Sequence, residues 1–416
     1  MAAVEEFSRK RPELAVPPAC IRPAPARKTY WLERVFRDLG LRGAILTPDG
    51  EEIRASAAPP LFRVTFHDWK LLGRPAGEFA LAQAYVKGAI DIDGDMLALL
   101  DVRDRLSDRL RLGPWLRFAA ELFRAAPTRH NRELIEYHYG LGDDFYLPFL
   151  DSRYRIYSQC IFPTGTETLE EAAGHKLEGV FRGLALSPGM RVLEIGAGWG
   201  GVIQYFCPRG VDVTAITLTQ GSLDYVGALI RANHYSARVS IEDFMGYRAV
   251  EPYDAVVMCG LEHFPYYRQF FARAWECLKP GGRIYVDGSA AKEKFSISQF
   301  TRHYTWPGTH SFMCLQDAIQ EALWHGFQIV EVKEESHDYA LTMREWAERF
   351  DRNREKIVGK WGEELFRAFR VYLWGGCHAL RHDRLQAYHV VARRGPDRGP
   401  RPGLARRIYS SLRQLA

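Results

Sequence analysis

Three stretches of this 416-residue chain carry residue types that could do chemistry. The first is Arg191-Val-Leu-Glu-Ile-Gly-Ala-Gly-Trp-Gly-Gly201. Val192, Leu193 and Ile195 read as a short buried strand. Gly196, Gly198 and Gly200 read as a turn whose backbone must reach positive φ and lie against a ligand with no Cβ in the way. Glu194, just before the turn, can accept hydrogen bonds from a charged amino group. The second stretch is Glu262-His263, two adjacent groups able to move a proton. The third is Asp287, which follows an apolar run and can act as base or cap the next loop.

These residues need a scaffold, and from residue 172 onward the chain supplies one. Helical patterns at 172–184, 223–233, 266–278 and 315–324 alternate with strand patterns at 191–195, 211–216, 238–241, 253–258, 283–286 and 327–332. A helical insertion (338–386) precedes a last strand at 387–392. Alternation of this kind predicts an α/β, doubly wound, seven-stranded sheet with ligands at the carboxyl ends of its strands. The E-x-G-x-G spacing is closer to the S-adenosylmethionine loop of class I methyltransferases than to a dinucleotide loop, although Gly201 supplies the third glycine of the latter. The Leu278-Lys-Pro-Gly-Gly282 turn and the late extra strand favour the methyltransferase variant. Asp243, after the third strand, is placed either to accept an adenine amino group or to cap a turn.

Ahead of this domain, residues 1–30 are Pro-rich and charged and read as a loose arm. Residues 31–127 read as a small N-terminal α+β domain: helix 31–41, hairpin 44–56, strand 61–66, and helices at 78–86, 96–106 and 115–123. The methyltransferase-like domain then spans 128–395 and a basic tail 396–416. No apolar run approaches the roughly 20 residues of a membrane span, and the N-terminus lacks a signal-peptide pattern. Seven cysteines without a C-x-x-C pair indicate neither a disulfide framework nor a metal site. A cytoplasmic protein is expected. Residues 393–416 carry a net +6 in a chain of net +5. Leu404, Ile408, Leu412 and Leu415 recur at helical spacing among those arginines, which suits an anionic membrane surface. Basic excess confined to a tail argues against nucleic acid. Oligomeric state stays open, a homodimer included.

Taken together, several motifs resemble the cyclopropane-fatty-acyl-phospholipid synthase family, which includes the mycolic acid cyclopropane synthases. They are His138-Tyr-Gly-Leu-Gly-Asp-Asp-Phe-Tyr146, Tyr157-Ser-Gln-Cys160, Glu194 to Gly201, Thr217-Leu218-Thr219, Gly260-Leu-Glu-His-Phe264, Tyr304-Thr-Trp-Pro-Gly308 and Tyr339-Ala-Leu-Thr342. The resemblance covers about residues 30–395 and makes the N-terminal domain lipid-associated. It implies methyl transfer from S-adenosylmethionine to an isolated alkene carbon of a lipid acyl chain, phospholipid or other, at the inner membrane surface. The donor would be held by Tyr157 and Ser158 at its carboxylate, by Glu194, Gly196, Gly198 and Gly200, by Thr217, Leu218 and Thr219 at the ribose, and by Asp243. The family's base is a bound bicarbonate, which Glu262, Tyr339 and a backbone group at Cys160 would hold here.

This chain departs from the family after the fifth strand, where Asp287-Gly-Ser289 replaces a histidine motif. Asp287 beside Glu262 could then share a proton with it and serve as an intrinsic base. Proton loss from the new methyl would give a cyclopropane, and loss from a chain carbon a methylene or methyl branch. Aromatic and apolar residues of the insertion (Trp346, Phe350, Leu365, Phe366, Phe369, Tyr372, Leu373), with Phe300, Tyr304, Trp306 and Phe312, could roof an acyl tunnel or simply pack the core. Two other readings remain open: a small-molecule N- or O-methyltransferase using Glu262 and His263, and a catalytically altered lipid- or donor-binding relative.

Overall fold

The computed structural model describes residues 30–106, 140–264, 266–294, 296–306 and 311–397. The loose arm, the helix expected at 115–123 and the amphipathic tail lie outside them. The chain divides into two compact units.

One unit comprises residues 1–113 and 354–378. Its sheet has the order β2 (Glu52–Arg54), β1 (Gly43–Leu46), β3 (Phe62–Phe66), β4 (Ile90–Gly94). The expected hairpin is β1–β2. β3 runs parallel to β1, and the segment between the two expected helices is itself a strand, antiparallel to β3. Alternation of Phe62, Val64 and Phe66 buries one face of β3 against Leu32 and Phe36 of helix α1 (Trp31–Asp38). Two insertion helices, α10 (Arg354–Trp361) and most of α11 (Glu363–Arg381), belong to this unit. Val371 and Trp374 pack on its core, and Arg367 pairs with Asp91 at 2.6 Å. That places Leu365, Phe366, Phe369, Tyr372 and Leu373 outside the unit that holds the glycine turn.

The other unit holds the seven-stranded sheet, in the order β10 (Phe327–Glu334), β11 (Gln386–Arg394), β9 (Leu278–Ala290), β8 (Tyr253–Cys259), β5 (Arg191–Ile195), β6 (Asp212–Thr217), β7 (Ala237–Ile241). β5 to β9 are parallel where they pair, and β11 enters antiparallel between β9 and β10. Pro280, Gly281 and Gly282 form a bulge inside β9: the register on β8 jumps from Tyr253–Leu278 to Ala255–Arg283. Leu193, Ile195, Ile216, Val256, Met258, Ile284 and Val286 make the sheet's apolar face, covered by Phe270, Phe271 and Trp275 of helix α7 (Tyr267–Cys277). On α4 (Leu169–Gly183), a capping box between Thr168 and Glu171 fixes the start, and Leu169, Ala172, Ala173, Lys176, Leu177 and Val180 are buried. No described helix is long and apolar enough to cross a membrane.

Candidate active site

Strands β5, β8 and β9 are neighbours, so their carboxyl ends bring Glu194, Gly260–Glu262 and Asp287 to one edge of the sheet. Gly196, Gly198 and Gly200 all have positive φ (86°, 48° and 79°). They serve different purposes. A Cβ at 196 or 198 would meet nothing within 4 Å, which leaves space for a ligand. At 200 it would run into Leu229 (2.6 Å), and at Gly201 into the Tyr154 carbonyl (2.6 Å), so those two glycines serve packing. Gly201→Ala is therefore expected to destabilise the fold by about 1–3 kcal/mol, checked by urea unfolding.

Glu194 is 5 % exposed; its Oε2 has no hydrogen-bond partner, and burial raises its carboxyl well above the ordinary value. A buried carboxylate without a partner is a site waiting for a cation or donor. The open glycine turn and this orphaned oxygen fit the ammonium end of S-adenosylmethionine. Glu194→Ala is expected to weaken donor binding by about tenfold or more, as loss of a hydrogen bond to a charged group does; calorimetric titration checks it.

Of the other expected donor-binding residues, Thr217, Leu218, Thr219 and Asp243 lie at the carboxyl ends of β6 and β7, and Tyr157 and Ser158 lie on the irregular segment before α4. Thr219 caps helix α6 (Gln220–Asn233), accepting from Ser222 N at 3.4 Å, and its own N–H donates to Thr217 Oγ1 at 3.4 Å. Leu218 lies between them, half-buried. Asp243 Oδ1 accepts from Met245 N at 2.8 Å, closing a turn after β7. Tyr157 stands in an aromatic cluster, with ring centroids 5.0 Å from Trp346, 5.3 Å from Tyr146 and 6.4 Å from Trp199. Trp199 is steered by donation from its Nε1 to Asp143 Oδ1 (2.8 Å), which gives the Gly-Asp-Asp-Phe-Tyr motif its place in the site. Trp346 and Phe350 come from α9 (Ser336–Arg352) and pack on Phe149 (6.4 and 5.6 Å), so this part of the insertion does meet the aromatic cluster. Tyr339, nearly buried on the same helix, is edge-on to Trp346 at 6.1 Å.

Glu262 lies on a single 3-10 turn after Gly260, whose φ of 99° turns the chain back from β8. Ser289 Oγ donates to its Oε1 at 3.1 Å, whereas Oε2 is buried without a partner. Burial pushes this carboxyl up to about 7; backbone and Ser289 hydrogen bonds pull it down, and the charge of Asp287 pushes it further up. A Cβ at Gly288 would collide with Oε2. Because Gly288 is outside the positive-φ set, Ala is sterically wrong there for that reason alone. Gly288→Ala is expected to displace the carboxylate and cut turnover by about 100-fold, with donor affinity kept. Single-turnover kinetics and calorimetry separate the two effects.

Asp287 adjoins Glu262 as the sequence predicts, but it is not a free base. It is 0 % exposed; its Oδ2 takes a hydrogen bond from Lys176 Nζ at 2.5 Å and its Oδ1 one from Gly260 N at 3.0 Å. Both oxygens are committed. Lys176, 2 % exposed, also donates to Ser158 Oγ at 2.7 Å. Burial works against the ammonium charge and Asp287 more than offsets it, raising the lysine above its ordinary value. Ser158 therefore belongs to this buried pair. On the neighbouring strand β11, His389 Nδ1 lies 2.7 Å from Glu335 Oε1, and Gln159 Nε2 donates to Glu335 Oε2 at 3.2 Å.

Sequence reasoning did not find Lys176, although one signal was present. It occupies the apolar stripe of α4, four residues after Ala172 and four before Val180, where a lysine needs a buried partner.

Cys160 departs from its expected role. Its N–H donates to Thr342 Oγ1 at 2.9 Å, and the Thr342 hydroxyl donates to the Asp338 carbonyl at 2.9 Å, so that amide has no bond left for an anion. The thiol is fully buried and burial raises it. Bicarbonate thus does not fit the residues present: an expected backbone donor is occupied and an expected histidine is a carboxylate. His263 follows Glu262 on the 3-10 turn.

The family profile described as mycolic acid cyclopropane synthetase matches residues 126–390. A probable fatty acid methyltransferase of Mycobacterium tuberculosis is 26 % identical over 373 residues, covering 79 % of this chain and 85 % of that protein. The cyclopropane-fatty-acyl-phospholipid synthase of Escherichia coli K12 is 28 % identical over 375 residues (86 % and 94 %). Among solved structures, the cyclopropane synthase MmaA2 from Mycobacterium tuberculosis superposes with a TM-score of 0.59 at 24 % identity, covering 63 % of this chain and 98 % of that one. The sheet order and this likeness make the fold that of a class I methyltransferase.

Proposed function

The chain belongs to the mycolic acid cyclopropane synthetase family, and from that premise we propose that it methylates an isolated double bond in a lipid acyl chain, with Glu262 as the base. One observation carries the reading: a carboxyl raised to about 7, with one oxygen buried and unpaired, at the strand ends next to the glycine turn. S-adenosylmethionine, when bound, supplies an electrophilic methyl and departs as a neutral thioether. Glu194, the open turn at Gly196 and Gly198, Thr217, Leu218, Thr219, Asp243, Tyr157 and Ser158 would hold it.

The alkene π pair forms the new bond to the methyl carbon and leaves a carbocation on the acyl chain. Glu262 then removes one proton. If that proton comes from the new methyl, its C–H pair closes a cyclopropane; if from a neighbouring chain carbon, the pair becomes the π bond of a methyl-branched alkene; and a 1,2-hydride shift to the first cationic carbon followed by loss from the methyl gives a methylene. In each case the carboxylate gains one proton and charge balances. Tyr339, Tyr157 and Trp346 present aromatic faces worth roughly 0.5–2 kcal/mol each to a nearby cation. Asp287, paired with Lys176, holds the Gly260 amide and with it the turn that carries Glu262. The arginine-rich tail would bring the protein to an anionic membrane surface where such chains are presented.

Cells expressing the chain and fed methyl-labelled methionine test the proposal by lipid mass spectrometry. The expected result is label on acyl chains that were unsaturated, with a mass gain of one CH2. Label on a polar metabolite, or none on lipid, overturns it.

A further inference from the structure

We propose that this enzyme works without bicarbonate, because the buried Lys176–Asp287 pair occupies the ground on which relatives of its family would hold that anion. The inference rests on the functional reading above and concerns the base within it. Lys176 is a positioning residue here: it acts on the reaction through Asp287 and Ser158.

Three observations support it. The first is the Cys160 amide, fixed to α9 through Thr342 and the Asp338 carbonyl (2.9 Å each), so it offers nothing to an anion. The second is Asp287 near the carboxyl end of β9, a carboxylate with both oxygens engaged and no exposure. The third is the local charge. A bicarbonate placed beside Glu262 would meet that carboxylate and the Asp287 carboxylate, which Lys176 already pairs. The ammonium nearby is Lys176, already bonded to Asp287 and Ser158. An anion arriving there has like charges to face and no uncommitted donor among these groups to take it. Proton removal then falls to Glu262, whose Oε1 is held by Ser289. It takes the proton from the chain or the new methyl, and the C–H pair stays with carbon.

The test uses the full chain in carbon-dioxide-stripped buffer. 13C-labelled bicarbonate is titrated in and followed by NMR line width, and methyl transfer to unsaturated phospholipid vesicles is measured with and without bicarbonate. No saturable broadening is expected, and rates with and without the anion should agree within about twofold. The double substitution Lys176→Met with Asp287→His, which exchanges the ion pair for a neutral ligand, is expected to gain saturable binding. Saturable binding to the unmodified chain, or a rate that falls on stripping and returns on addition, overturns the inference. The titration needs no lipid turnover. It decides the anion question even if the double variant does not fold, and a chain that methylates no lipid would count against the functional reading separately.

Discussion

Glu262→Gln is expected to lower methyl transfer to unsaturated acyl chains by about 100- to 10,000-fold, the usual cost of losing a positioned base, while donor affinity stays within about twofold. Glutamine keeps the shape and the Ser289 contact but cannot take a proton. The wild-type rate should rise with pH through about 7, because only the ionised carboxylate accepts a proton and burial pushes that carboxyl up to about 7. Stability moves the other way. A carboxyl whose folded value lies above its ordinary value of 4.5 binds more protons folded than unfolded, so this group's contribution is full at low pH and is lost as pH rises through the folded value. Single-turnover rates from pH 5 to 9 with matched denaturation midpoints check both signs. A flat pH–rate profile, or a Gln variant of near-normal rate, would remove Glu262 from the chemistry.

Lys176→Met is expected to destabilise the methyltransferase unit by about 3–5 kcal/mol, since it strands Asp287 as an uncompensated buried charge. Lys176→Met combined with Asp287→Asn removes both charges and should recover most of that loss, because replacing a buried pair with neutral groups of similar volume is often close to neutral. Chemical denaturation of the two variants decides it, and equal losses would mean that Lys176 matters for packing alone. Activity separates the roles further. If the pair also positions Glu262 through the Gly260 amide, the stable double variant should still bind the donor yet turn over more slowly.

Much of this protein was legible in its residues. The glycine turn, the alternating elements and the late strand dictated a class I sheet, because side-chain period and glycine placement are local properties that survive any tertiary context. The E-H pair after one strand and Asp287 after the next placed both carboxylates at adjacent strand ends before any coordinates did. Tertiary structure decided what those groups do. Whether Asp287 is a base or half of an ion pair depends on a helix more than 100 residues earlier that aims Lys176 at it, a distance across which sequence pattern carries no signal. Cys160 lost its expected role in the same way, to a threonine 182 residues away. The helices of the insertion show one amphipathic pattern throughout, yet α9 packs on the aromatic cluster and α10 and α11 join the N-terminal unit. An apolar stripe states that a helix will be covered, and only packing in three dimensions selects the surface that covers it.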